Sequence, residues 1–205
     1  MSVESKVSNH HTIFPVEDIS GVILAGGKSS RYGKNKALEK IDGIPLIERV
    51  IRIIRPLFQD LIIITNTPET YAHLELPMYA DIIKGLGPIG GIYTGLAVLS
   101  GYAGFFVACD MPRLNPELIA YMVTERGRFD VVVPRISGMM EALHALYGKG
   151  CLPFVKRLID MREYQTIRIF KEVSVRYIEE DEIRNFDPQL RSFLNINRPE
   201  ELNRI

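Results

Sequence analysis

The residues best suited to chemistry are concentrated in one stretch, Gly21 to Lys36, GVILAGGKSSRYGKNK. An apolar β-branched run, Val22-Ile23-Leu24, breaks at Ala25-Gly26-Gly27. A basic, small-residue loop follows, holding Lys28, Ser29, Ser30, Arg31, Gly33, Lys34 and Lys36. A buried strand that runs into a glycine turn and then into cations presents backbone N–H groups and positive charge to phosphate. The Gly26-Gly27 turn lets backbone approach such a ligand closely. Arg31 and Lys36 can hold triphosphate oxygens, the planar guanidinium suiting bidentate contact; Lys28 and Lys34 read as solvated loop charges. Two common phosphate motifs are excluded by spacing. A P-loop needs glycines five positions apart and a Ser or Thr after the lysine, but Gly27 and Gly33 are one residue too far apart and Lys34 precedes Asn35. The adjacent glycines also fail the dinucleotide fingerprint.

The elements that must position this loop alternate between strand and helix. Ile19 to Ala25 is expected as the first strand, with a short connector through Ile41 to a turn at Asp42-Gly43. Pro45 opens an amphipathic helix to Leu57, and Asp60 to Asn66 is a second buried strand. A short helix over Pro68 to Leu74 and a strand over Met78 to Ile82 follow. Lys84 to Gly91 is expected as a glycine-rich loop, then a helix from Ile92 to Leu99 and a strand from Gly104 to Cys109 that ends at Asp110. Asn115 caps the next helix ahead of Pro116. The rest gives a strand over Asp130 to Pro134, a turn at Gly138-Met139-Met140 and a strand over Glu141 to Tyr147. A helix over Leu152 to Met161, a helical turn over Thr166 to Lys171 and an edge strand over Val173 to Ile178 come next. A last strand over Phe193 to Asn197 and a terminal helix from Pro199 close the chain.

This alternation specifies a three-layer α/β/α sandwich with a mostly parallel sheet. Ligands of such sheets lie beyond the carboxyl ends of the strands. The residues placed there are the glycine loop, Asn66, Asp81, the Gly85 to Gly91 segment and Asp110. An Asn amide and an Asp carboxylate can read donors and acceptors of a base or ribose.

The pattern L-A-G-G-x-S-x-R-x-G-x-x-K over Leu24 to Lys36, then Gly87-Pro88-Ile89-Gly90-Gly91, then Cys109-Asp110-Met111-Pro112, resembles the molybdenum cofactor guanylyltransferase family. That family lies among nucleotidyltransferases of the Rossmann-like nucleotide-diphospho-sugar-transferase fold. The likeness runs from Gly21 to about Leu202 and includes Asn195-Ile196-Asn197-Arg198-Pro199-Glu200-Glu201-Leu202. It implies transfer of GMP from Mg-GTP to the phosphate of molybdopterin, with release of pyrophosphate. It implies nucleotide contacts at Leu24, Ala25, Gly26, Gly27, Lys36, Asn66 and Asp81, and a Mg²⁺ ligand at Asp110. Arg31, Lys36 and Asp110 form the expected catalytic set, and Asn195 and Asn197 are candidates on the acceptor side or against the loop. Mg²⁺ often takes only one or two carboxylates beside phosphates and water. Expected partners are GTP, molybdopterin, and cofactor-delivering or molybdoenzyme-maturation proteins. Two departures stand out: Tyr32 replaces a usual Met, and Ala142 replaces a Pro in Glu141-Ala142-Leu143-His144. His144 reads as structural or acceptor-facing, because a phosphate nucleophile is already ionised. Alternatives are a sister enzyme using CTP or a sugar-phosphate acceptor, and a non-catalytic nucleotide-binding module; Arg31, Lys36 and Asp110 together argue against the module.

Composition narrows the class further. The 205 residues suit one domain at 18–205 behind an N-terminal tail or extension at 1–17. Basic and acidic residues balance at 25 each, against the basic surplus that nucleic-acid binding requires. No apolar run approaches the ~20 residues of a membrane span, and the polar first 18 residues lack a signal-peptide core. Cys109 and Cys151 have no metal-ligand spacing and fit reduced thiols in a cytoplasmic protein. The His10-His11 pair is expected to be solvated.

Overall fold

A computed structural model describes residues 15–26 and 36–196. The loop segment holding Gly27 and Arg31, the residue Asn197 and the expected helix from Pro199 lie outside the described residues. The central sheet is built from β1 (Ile19–Leu24), β4 (Leu61–Ile64), β5 (Met78–Tyr79), β6 (Ala103–Ala108), β7 (Val131–Ile136), β8 (Met139–Met140), β9 (His144–Gly148) and β10 (Val175–Glu179). Between β1 and β4, β2 (Lys40–Ile41) and β3 (Ile44–Pro45) pair as a small antiparallel hairpin. The order across the sheet is β10-β7-β9-β6-β1-β4-β5, with β8 paired to β7. The ladders β1/β4, β1/β6, β4/β5 and β7/β10 are parallel; β9 runs antiparallel to both β6 and β7.

The helices are α1 (Leu46–Ile54), α2 (Pro88–Val98), α3 (Pro116–Thr124), α4 (Leu152–Asp160) and α5 (Glu180–Arg184). Strand side chains alternate between two cores. Ile23, Phe105, Val107 and Leu146 pack with α1, α3 and α5 on one face; Val22, Leu24, Phe106 and Tyr147 pack with α2 and α4 on the other. Every residue of β1 is buried, as expected of a strand covered by helices on both faces. Asn115 caps α3 as expected, its Oδ1 accepting from Leu118 N at 2.9 Å.

The structure corrects the sequence reading at several elements. The supposed loop Gly87 to Gly91 is the first turn of α2. Gly87 takes φ +69° as the N-cap and Pro88 supplies the helical φ at the first position. Gly91, one of the glycines that suggested a loop, serves packing, since a Cβ there would lie 3.1 Å from Leu24 Cδ2; further along α2, one on Gly95 would lie 2.4 Å from Phe106 Cε1. Gly95→Ala is therefore expected to destabilise the fold by about 1–3 kcal/mol through overpacking of a rigid ring, read as a lowered chemical-denaturation midpoint.

The segment from Phe193 is not a strand. Leu190 takes φ +55°, a 3₁₀ turn spans Arg191–Phe193, and residues 194–196 form no ladder. The sheet edges are already taken by β5 and β10. The strand expected from Glu141 starts at His144, after a turn, and it is wholly buried because it is central in the sheet. The turn at Gly138 belongs to the β7–β8 hairpin. β5 is limited to two residues, and the edge strand begins at Val175 rather than Val173. At the N-terminus, Val16 bridges to Phe58, with Val16 N donating to Leu57 O at 3.0 Å, so the expected N-terminal extension is held to the fold at that residue.

Candidate active site

From β1 the chain passes through α1 to β4 and β5 on one side. It then returns through α2 to β6 on the other side of β1. The connections therefore part at the carboxyl ends of β1 and β6, the switch point where open α/β sheets bind ligands. At that point Leu24 O accepts from Cys109 N at 3.2 Å and Ala25 N donates to Ile64 O at 2.9 Å. The Leu24 and Ala25 side chains are buried, so their share in a ligand site is backbone. Gly26 is exposed, and a Cβ there would meet nothing within 4 Å.

Lys36 and Asp110 meet across this crevice. Lys36 begins the 3₁₀ turn Lys36–Leu38 after the loop, and Asp110 follows β6. Lys36 Nζ donates to Asp110 Oδ2 at 2.5 Å, 74 residues apart in sequence. Their side chains are 24% and 21% exposed, so both are held by packing yet remain reachable. Asp110 is also fixed through its backbone, its carbonyl accepting from Ile196 N at 3.1 Å. Ile196 is itself buried against Ile41 and Leu46, beside the hairpin that follows Lys36. Asn195 is exposed on that strap, one residue before the tether.

Asn66 and Asp81 sit past β4 and β5 on the same edge and are paired to each other. Asn66 Nδ2 donates to Asp81 Oδ2 at 2.7 Å, and Asp81 N donates to Asn66 Oδ1 at 3.1 Å. Asn66 is exposed and Asp81 is half-buried, which leaves polar atoms for a ligand. Ile82 N donates to the buried Thr94 Oγ1 at 2.9 Å, tying this edge to α2. The α2 N-terminus adds backbone donors beside Leu24, a contribution hidden in the sequence by its glycines.

A carboxylate open at one face, with a lysine beside it, fits a hard divalent cation that takes its remaining ligands from phosphate and water. No cluster of three His, Cys, Asp or Glu side chains suited to a closed metal cage occurs among the described residues. Cys109, next to Asp110, is no nucleophile: burial first, and then the Asp110 carboxylate, push its thiol up to about 12. Cys151 is likewise pushed up to about 12 by burial and Asp130.

His144 is fully buried, its ring edge-on to Phe105 at 5.2 Å and 4.9 Å from the Phe193 centroid. Neither ring nitrogen has a hydrogen-bond partner among the described residues. Burial lowers its pKa from 6.5 to about 3, opposed by the Asp187 carboxylate. The imidazole is thus a neutral core residue rather than an acid or base. The unfolded chain takes up this proton as pH falls below 6.5 while the folded chain refuses it until about 3, so stability is lost across that window on acidification. His144→Leu is expected to flatten the pH dependence of stability there by up to about 1.4 kcal/mol per pH unit. Denaturant melts between pH 4 and 7 check this, and transfer activity should stay near wild type.

The fold and this crevice together define a nucleotidyltransferase, with a polar edge at the switch point. The chain belongs to the MobA-like NTP transferase domain family, whose model matches residues 21–175. It is 37% identical to a probable molybdenum cofactor guanylyltransferase of Natranaerobius thermophilus, across 91% of this chain and 94% of that one. It is 33% identical to a protein of the same description from Carboxydothermus hydrogenoformans, across 93% and 96%. Among solved structures, molybdopterin-guanine dinucleotide biosynthesis protein A from Archaeoglobus fulgidus superposes with a TM-score of 0.78 at 28% identity, covering 90% of this chain and 95% of that one. Among the described residues, no helix is long and apolar enough to cross a membrane.

Proposed function

We propose that the protein transfers GMP from GTP to the phosphate of molybdopterin and releases pyrophosphate. The observation that carries this reading is the Lys36–Asp110 pair, two opposite charges held 2.5 Å apart at the switch point of a nucleotidyltransferase sheet. The relatives' names supply the guanine nucleotide and the molybdopterin. In the reaction an oxygen of the acceptor phosphate bonds to the α-phosphorus of GTP. The bond from that phosphorus to the bridging oxygen breaks, and pyrophosphate leaves with the electron pair. The nucleophile is ionised at neutral pH, so no protein base is needed; positioning and charge neutralisation do the work.

Lys36 turns from Asp110 toward the phosphates when the nucleotide arrives, with Arg31 as a second cation in the loop. Asp110 would hold Mg²⁺, which supplies charge to the triphosphate when bound. The backbone at Leu24, Ala25, Gly26 and Gly27 lines the nucleotide, and Asn66 and Asp81 read its base or ribose. Asn195 and Asn197 flank the acceptor. The enzyme is read as a single domain over 18–205 working in the cytoplasm. The test is pyrophosphate release with Mg²⁺ and each of GTP, CTP, ATP and UTP, with and without molybdopterin. Release confined to GTP with molybdopterin is expected. A preference for CTP would move the protein to a sister activity, and no release with any pair would favour a binding module.

A further inference from the structure

Glu141 opens the turn between β8 and β9. Its N–H donates to Pro134 O at 3.0 Å, and its carbonyl accepts from His144 N at 3.0 Å. Two residues on, Leu143 O accepts from Ala108 N at 3.1 Å. The turn therefore lies over the carboxyl ends of β7 and β6, on the edge that carries Asp110. It is on the opposite side of Asp110 from Asn66 and Asp81, which follow β4 and β5. β7 is two strand spacings from β6, or roughly 10 Å.

The carboxylates near this hairpin are otherwise engaged. Glu179 pairs with Arg135, Glu180 with Arg184 and Glu182 with Arg176. The half-buried Glu141 carboxyl has no hydrogen bond or ion pair among the described residues. Its chain neighbours Met140 and Leu143 are partly buried against the apolar core, and Met139, two residues before it, is 67% exposed. A carboxylate partly removed from water without a donor is costly, and an N–H pair would offset that cost. Consistent with this, burial alone holds the Glu141 carboxyl above the ordinary carboxylate range.

We infer that Glu141 binds the pterin end of the acceptor, its two oxygens accepting from the 2-amino group and the adjacent ring N–H of the 2-amino-4-oxopyrimidine ring. The inference rests on the guanylyl-transfer reading above. Glu141 thus lies no further than about two strand spacings, roughly 10 Å, along the carboxyl edge from the strand that carries Asp110, so an acceptor whose phosphate sits at the Lys36–Asp110 crevice extends its ring system toward it. Met139 offers an apolar face for the heterocycle. Guanine carries the same N–H pair, but Asn66 and Asp81 place the nucleotide on the other flank.

The experiment uses the full chain and the Glu141→Gln variant, which keeps the shape and removes one acceptor and the charge. Molybdopterin alone is titrated by its fluorescence, and KM values are measured for molybdopterin and GTP in turn. The inference expects the dissociation constant and KM for molybdopterin to rise about ten- to a hundredfold, with KM for GTP unchanged and Tm unchanged or higher. Equal molybdopterin affinity in the two proteins overturns it, as does a rise in KM for GTP instead. A wild-type chain that binds molybdopterin but transfers no GMP would sink the guanylyl reading while the binding titration still judges Glu141. A wild-type chain that binds no molybdopterin overturns both.

Discussion

Asp110→Asn is expected to lower guanylyl transfer by about a thousandfold or more while leaving a folded protein. The substitution keeps the side chain's size and the backbone bond from Ile196 N to Asp110 O. It removes the carboxylate that pairs with Lys36 across the crevice. The ion pair itself contributes little to stability, because both side chains are more than a fifth exposed and such pairs are worth at most about 1 kcal/mol. For a domain of this length that is a shift of a few degrees in Tm at most. A loss of transfer with near-native melting therefore assigns Asp110 to the chemistry. Near-normal transfer would remove it from the metal and phosphate site.

Lys36→Ala carries the second large effect. On the proposed reading, the lysine held on Asp110 becomes, with nucleotide present, a cation on the triphosphate. Its loss should reduce kcat/KM for GTP by about 10²–10³. Lys36→Arg should recover part of this, since the charge persists but the guanidinium does not match a single-point contact. The two sites are also predicted to couple. In the Lys36→Ala/Asp110→Asn double variant the losses should fall short of additive, because each single change disables the same charged unit. Steady-state kinetics on the four proteins measure it, and full additivity would separate the two residues functionally.

The features legible in the sequence were those set by strand ends. Asp110 is the first polar residue after a continuous apolar run, and Asn66 and Asp81 close two others, so their placement on one edge followed from a parallel sheet alone. What escaped depended on tertiary context. The Gly87 to Gly91 segment carries strong loop signals, yet Gly87 is there for its positive φ at the N-cap, and Gly90 and Gly91 because the first turn of α2 presses on Ile83, Leu86 and Leu24. Glu141 stood in the sequence only as the start of a family-like segment and of an expected strand; its partial burial without a partner among the described residues comes from a turn seated over two strands that are distant in sequence. His144 has a polar side chain in a strand whose burial follows from its central position between β6 and β7, something known only once the sheet order is known. The closing Asn195-Ile196 strap resembled a strand because apolar and polar residues alternate there. It is fixed instead by one backbone bond to Asp110 and by Ile196 against Ile41 and Leu46.

These features converge on one account: a switch-point crevice in which Lys36 and Asp110 act on a triphosphate, with the nucleotide beyond β4 and β5 and the acceptor toward β7. Its most direct test uses GTP labelled at either the α- or the γ-phosphorus, with Mg²⁺ and molybdopterin. The account predicts that the α-label passes to molybdopterin in a product bearing GMP while the γ-label leaves in pyrophosphate. Transfer of the γ-label to the acceptor, or release of both labels without any molybdopterin conjugate, would contradict it.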